Sequence, residues 1–219
     1  ARTMGLTLGT LGVLIMFTLL FLNFSSLNKA SYDYINEVTS PFDVSAFFET
    51  EEPISKVYNA VSENYEIIDS VRYNVYMDTN SNIEKLLPAY DYTSEPYDKI
   101  IKVSDYNHLL KMKGKSEVTL NNDEYILVYD TKETSLADES SIKTIALSNG
   151  TTLNQKSATT ELYFLGLTNA DYAIVVPDDV VNGLGIYEYF ISIDTKEETT
   201  NELEKILVEA LRSDLCEKD

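Results

Sequence analysis

Histidine, cysteine and tryptophan are nearly missing from this 219-residue chain: His108 and Cys216 each stand alone, and there is no tryptophan. A lone cysteine excludes an intramolecular disulfide and any thiolate zinc site. A lone histidine excludes every metal motif that needs two imidazoles. Positive charge is scarce too. Seventeen basic side chains face thirty-six acidic ones, giving a net charge of −19 and a pI of about 4.3. That balance repels phosphate and argues against nucleic acid as a partner. There is no G-x-S-x-G elbow, no H-E-x-x-H, no Walker loop and no dinucleotide fingerprint. The chain does not read as an enzyme, and no metal or cofactor is expected. Disorder is excluded by what is present, since 44% of residues are hydrophobic and 11% aromatic.

Charge is absent from one stretch altogether. Between Arg2 and Lys29 there is no ionisable side chain. Met4 to Phe24 spans roughly 30 Å at helical rise, the thickness of a bilayer core. It holds twelve Leu, Val, Ile or Phe residues, contributing on the order of −5 kcal/mol to insertion. Residues 1–28 are therefore expected to form a transmembrane helix. The alternative, a cleaved secretory signal, has a shorter apolar core and an A-x-A-like site, and neither is found here. Gly5, Gly9 and Gly12 recur on one face, where small residues let a second membrane helix approach closely. Because the chain begins at Ala1, this helix can be one of several spans in a longer protein. From Lys29 onward the net charge is −20; residues 29–219 are expected outside a cell membrane, a reading this charge supports without deciding it, since large domains cross largely regardless of charge. A single cysteine suits a surface that does not rely on disulfides, as in many bacteria.

Residues 29–40 read as a polar stalk. Phe42, Val44, Ala46 and Phe48 then alternate with Asp43, Ser45 and Phe47, a strand signal. Thr50-Glu51-Glu52-Pro53 predicts a helix start with a capping hydroxyl, followed by Ile54, Val57, Tyr58, Val61 and Tyr65 on one face. Val71, Tyr73, Val75 and Met77 predict a half-buried strand. Tyr97 to Val103 reads as another, and Ser104 as the cap of a helix that Gly114 ends near Lys113. Tyr125 to Tyr129 is an apolar run typical of a central strand. Thr131 to Thr160 is polar, a hairpin or flexible excursion interrupted by Ile142 to Leu147. Asp171 to Val176 predicts a strand, with Asp178 capping a short helix. Gly185 restarts a strand with Tyr187, Tyr189, Ile191 and Ile193 on one face. Thr195 is placed to cap a last helix, with Leu203, Ile206, Leu207, Ala210 and Leu211 as its apolar stripe. The whole predicts an α+β (mixed α/β) extracellular domain of two lobes, 41–130 and 161–219, separated by 131–160 and preceded by one transmembrane helix.

Adjacent carboxylates are plentiful: Glu51/Glu52, Asp123/Glu124, Asp178/Asp179 and Glu197/Glu198. Neighbours in sequence point in different directions on a helix or strand, so these read as helix starts and solvated surface. Asp78 to Asn82 matches only the first half of a calcium loop. His108 reads as a partly exposed helical residue, and Cys216 as passive. Tyr90, Tyr92 and Tyr97 offer either a recognition surface or strand core.

Four stretches together resemble a known family: SPFDVSAFF, VRYNVYMD, IIKVSDYNHLLKMKGKSEVTLNNDEYILVYD and, more weakly, AIVVPDDVV. They look like the FtsX-like permeases of ABC transporters, in the bacitracin-export branch of Gram-positive bacteria. The most specific part is Lys102 to Asp130. The resemblance covers one helix plus the large extracellular domain inserted between spans. It implies a non-enzymatic ligand-sensing and coupling role in antimicrobial peptide resistance or sensing. It further implies a membrane complex with a separate ATPase subunit and a paired sensor histidine kinase, and a cationic peptide, free or lipid-bound, as ligand. A second membrane span is then expected after the helix from Glu197 to about Arg212. The alternative is a surface adhesion or scaffold protein anchored by a single span.

Overall fold

A computed structural model describes residues 40–78, 98–129, 144–163, 167, 172–197 and 201–212. The predicted span, its Gly5, Gly9 and Gly12, the stalk up to Thr39, Tyr90, Tyr92, Tyr97 and Cys216 lie outside them. Among the described residues no helix is long and apolar enough to cross a membrane.

In chain order the elements are β1 (Val44–Phe48), α1 (Glu52–Asn64), β2 (Ile67–Asp78), β3 (Asp98–Lys102), α2 (Val103–Met112), β4 (Glu124–Tyr129), β5 (Thr144–Ala146), β6 (Thr152–Thr159), β7 (Tyr172–Val176), a 3-10 turn (Asp178–Val181), β8 (Gly185–Thr195) and α3 (Asn201–Ala210). The strands form one mixed sheet in the order β1-β8-β2-β3-β7-β4-β6-β5. An α+β fold is what the sequence predicts, but its two lobes are not separate. β8 pairs antiparallel with both β1 and β2, while β7 lies between β3, to which it is parallel, and β4. Strands from 161–219 thus interleave with those from 41–130. Alternation in a strand fixes its buried face but not its neighbour, so the join is invisible in the pattern.

The faces follow from the alternation. On β8, Phe190 points to one side, where Val71, Tyr73 and Val75 of β2 meet Tyr106, Leu109 and Leu110 of α2. Ile191 and Ile193 point to the other, beneath Ile54, Val57 and Val61 of α1 and Leu203 of α3. Helices therefore cover both faces. Burying the three α1 residues contributes about 5–8 kcal/mol of gross transfer energy. A third cluster under the 3-10 turn gathers Tyr125, Leu127, Ile145, Leu153, Ile174 and Val181. Residues 125–128 are buried throughout because β4 has a strand on each side and apolar contacts on both faces. Part of the polar excursion is a real hairpin, with Ala146 opposite Thr152, and its second strand also pairs parallel with β4.

Helix ends depart from the local caps that the sequence suggests. α1 is capped by Glu51 without any side-chain bond, so the hydroxyl of Thr50 is not used; Pro53 occupies the first turn as expected. α2 begins at Val103, which puts Ser104 inside the helix. The Ser104 N–H donates instead to the Asp178 carboxylate at 3.1 Å, so Asp178 caps α2 rather than its own 3-10 turn. At the other end Gly114 adopts φ +64°. Its N–H donates to Lys111 and that of Lys115 to Leu110, at 3.0 and 2.9 Å, a Schellman closure. Thr195 ends β8 instead of opening α3: its N–H and hydroxyl both donate to Asp43, at 2.7 and 3.1 Å.

Candidate functional site

Titratable side chains gather along α2. Asp69 of β2 and Asp194 of β8 sit directly opposite each other in the ladder, a like-charge pair that would destabilise the sheet if left alone. α2 crosses above them and supplies a partner to each. His108 Nε2 lies 3.2 Å from Asp69 Oδ1, and Lys113 Nζ donates to both Asp194 oxygens at 2.7 Å. The Lys113 ammonium also stands 4.6 Å from the Phe42 ring centre. His108 is thus a half-exposed docking residue of α2, as its position in the helix suggests.

At the helix start, Asp105 is pushed up to about 6 by burial and by the carboxylate of Asp178, with Lys102 and His108 pulling the other way. Lys102 is raised, chiefly by its bond to the Tyr76 hydroxyl, whose ring centre lies 5.5 Å away. The acidic pairs separate into unrelated roles. Glu52 meets Lys56 at 3.5 Å. Glu124 is lowered by the Asn121 N–H it accepts and by Lys156 at 3.1 Å. Asp179 and Glu197 are exposed, and Glu198 lies outside the described residues. Asp78, the first residue of the half-matched calcium loop, is buried and accepts the Ser148 N–H at 2.7 Å; the other four residues of that stretch lie outside the described ones. Among the described residues no three His, Cys, Asp or Glu side chains converge as a metal site.

Two features escape sequence reasoning. One is buried charge: Lys99 of β3 and Glu188 of β8 are 1% and 6% exposed. The Lys99 ammonium packs 3.2 Å from the centre of the Tyr187 ring. β8 carries an extra residue there, because Val75 pairs with Glu188 while Tyr76 pairs with Ile186. This bulge displaces Tyr187 from the face shared by Ile191 and Ile193. The other is a groove of about 480 Å³ between α1 and α3. Ala60, Ile206 and Ala210 supply its apolar part, and Glu63, Glu202 and Glu209 its acids; Lys205 is the one cation among its lining residues. The signal was present as an apolar stripe on α3 wider than the core it covers. Leu203 is buried, whereas Ile206 and Ala210 are only half-buried.

No protein-family model matches the chain, and no curated protein matches it. Among solved structures, a Bacillus anthracis protein taken to be a lipoprotein, determined at 1.5 Å, superposes with a TM-score of 0.46 at 10% identity. The match covers 75% of this chain and 90% of that one. A likeness that distant says nothing of what this chain does.

Proposed function

We propose that the chain is the extracellular ligand-sensing and coupling domain of an ABC-transporter permease of the FtsX-like, bacitracin-export type, serving antimicrobial peptide resistance or sensing. One observation carries most weight: residues near both ends of the described fold share one apolar cluster. Val44, just after the first described residues, and Leu203 belong to it, and Leu207 and Leu211, just before the last, pack against it. A domain inserted between two membrane spans has to return its chain to the face it came from, and such an arrangement suits that demand. The stretch most specific for the family also forms a continuous unit, in which SDYN lies in the first turn of α2, Gly114 closes it and EYILVY forms β4. The role is binding and coupling, without a chemical step. The separate ATPase supplies the energy, the membrane holds the spans, and a sensor histidine kinase reads the occupied state.

The test is co-purification. The complete native gene product, affinity-tagged and expressed with its neighbouring genes, is expected to bring down an ATPase subunit whose turnover rises on adding a cationic antimicrobial peptide. Purification of the tagged protein without any nucleotide-hydrolysing partner would overturn the reading in favour of a single-span adhesion or scaffold protein.

A further inference from the structure

We propose that Asn182, in the turn leading into β8, is a site of spontaneous deamidation to aspartate and isoaspartate, whereas Asn149 is held unreactive by its hydrogen bonds. Asparagine precedes glycine at these two positions and nowhere else in the chain. The pair is reactive because glycine has no Cβ to shield its backbone nitrogen or restrict its backbone. That nitrogen attacks the asparagine Cγ, forming the N–Cγ bond of a five-membered succinimide. The Cγ–Nδ2 bond breaks, and ammonia leaves with the proton that the glycine nitrogen gives up. Water then opens the ring at either carbonyl, giving aspartate or isoaspartate. Water is the one co-reactant.

Both pairs sit in tight turns, and all four residues are exposed, so access to water does not distinguish them. Asn149 and Gly150 lie in the turn of the β5–β6 hairpin, where Gly150 has φ +87° and its N–H donates to the Leu147 carbonyl at 3.0 Å. Asn182 (φ −61°, ψ 122°) and Gly183 (φ +88°) are the central residues of a type II turn. The Leu184 N–H closes that turn on the Val181 carbonyl at 3.0 Å. What differs is the state of the reacting atoms. The Asn149 amide nitrogen donates to the carbonyls of Val180 and Asn182, at 2.8 and 3.2 Å. Its Oδ1 accepts the Thr151 N–H at 3.1 Å. Acceptors on one side and a donor on the other fix the orientation of that amide. Ring closure at Asn149 therefore has to break these three bonds and also release the Gly150 N–H. At Asn182 neither the side-chain amide nor the Gly183 N–H has a hydrogen-bond partner among the described residues. Swinging this backbone into ring-closing geometry costs the turn bond and the contact from Asn149, neither of them made by a reacting atom. The product alters more than charge. Isoaspartate adds a methylene to the backbone of the turn and shifts the carbonyl that Asn149 holds, loosening the β5–β6 hairpin from the entry to β8.

The test compares the two sites within one molecule. The purified full chain, folded in detergent micelles, is incubated at about pH 8 in water enriched in heavy oxygen, beside a sample in concentrated urea. Heavy oxygen enters at ring opening, so it marks conversion during the incubation. Digestion at acid pH in ordinary water and electron-transfer fragmentation then read each position and separate aspartate from isoaspartate. In urea, where neither turn persists, the two asparagines should convert within about threefold of each other. In the folded chain Asn182 should convert at least about tenfold faster than Asn149, or about 1.4 kcal/mol of added restraint at the latter. Equal conversion in the folded chain, or faster loss of Asn149, would overturn the proposal. A folded-state ratio matched in urea would overturn it as well, because the neighbouring residues and not the turns would then set it. So would retention of both asparagines in the folded chain after the urea sample has converted. None of these results bears on the permease reading, which stands or falls on the ATPase subunit.

Discussion

At the scale of single residues, the fold relies on carboxylates that reach across the chain. Asp105 has the clearest consequence. With its folded value near 6 and its ordinary value near 3.8, the folded state holds more protons than the unfolded one between those limits. Stability from this group is therefore complete below about pH 3.8 and is lost as pH rises to 6. Asp105→Asn should raise stability by about 1–2 kcal/mol at pH 7, after discounting for its partial exposure. Urea melts at pH 7 and at about pH 3.5 check this, because the gain should vanish at the lower pH. A gain equal at both would show that desolvation of the charge is not the cause. Lys113 tests the opposed carboxylates. Lys113→Met leaves Asp194, whose side chain is 14% exposed, beside Asp69 without its bidentate partner. The expected cost is about 2–3 kcal/mol, and adding Asp194→Asn should recover part of it in a double-mutant cycle.

At the scale of elements, period and punctuation made most strands and helices legible, and they failed where partners are distant. The alternation through Val71, Tyr73 and Val75 and the spacing of Ile54, Val57 and Val61 each set a buried face without reference to anything else. Caps were misread for one reason. Thr50, Ser104 and Thr195 are good local caps, but Asp178 and Asp43, far away in sequence, bind the last two backbone sites instead. The groove was legible only as a stripe on α3 too wide for its core, and the α1 side had no signal because Ala60 reads as ordinary helix. Two substitutions probe this level. Ile54→Ala should cost about 2–5 kcal/mol, since Ile54 is 2% exposed between α1 and β8 and its loss leaves a cavity. Gly114→Ala should cost about 1 kcal/mol from backbone strain alone, because open space surrounds the site where a Cβ would stand. Gly114→Asn should cost less, as asparagine tolerates that conformation better. Equal losses from alanine and asparagine would place the cause elsewhere than in the left-handed turn.

At the scale of the molecule, the single sheet ties the two predicted lobes into one body, and Val44, near the start of the described fold, shares a cluster with Leu203, against which Leu211 packs. Acidity then has a function beyond solubility only if a cationic ligand arrives from outside, where the domain is expected to be. The most direct test of that arrangement is a pair of alkaline phosphatase fusions to the native gene in a bacterial host. One joins the enzyme immediately after Arg212, and the other about 40 residues further along the native reading frame, beyond the expected second span. Phosphatase that is active after Arg212 and silent at the second junction is the predicted result, with the domain outside and held between two spans. Activity at both junctions, or a reading frame that ends before the second, would contradict it.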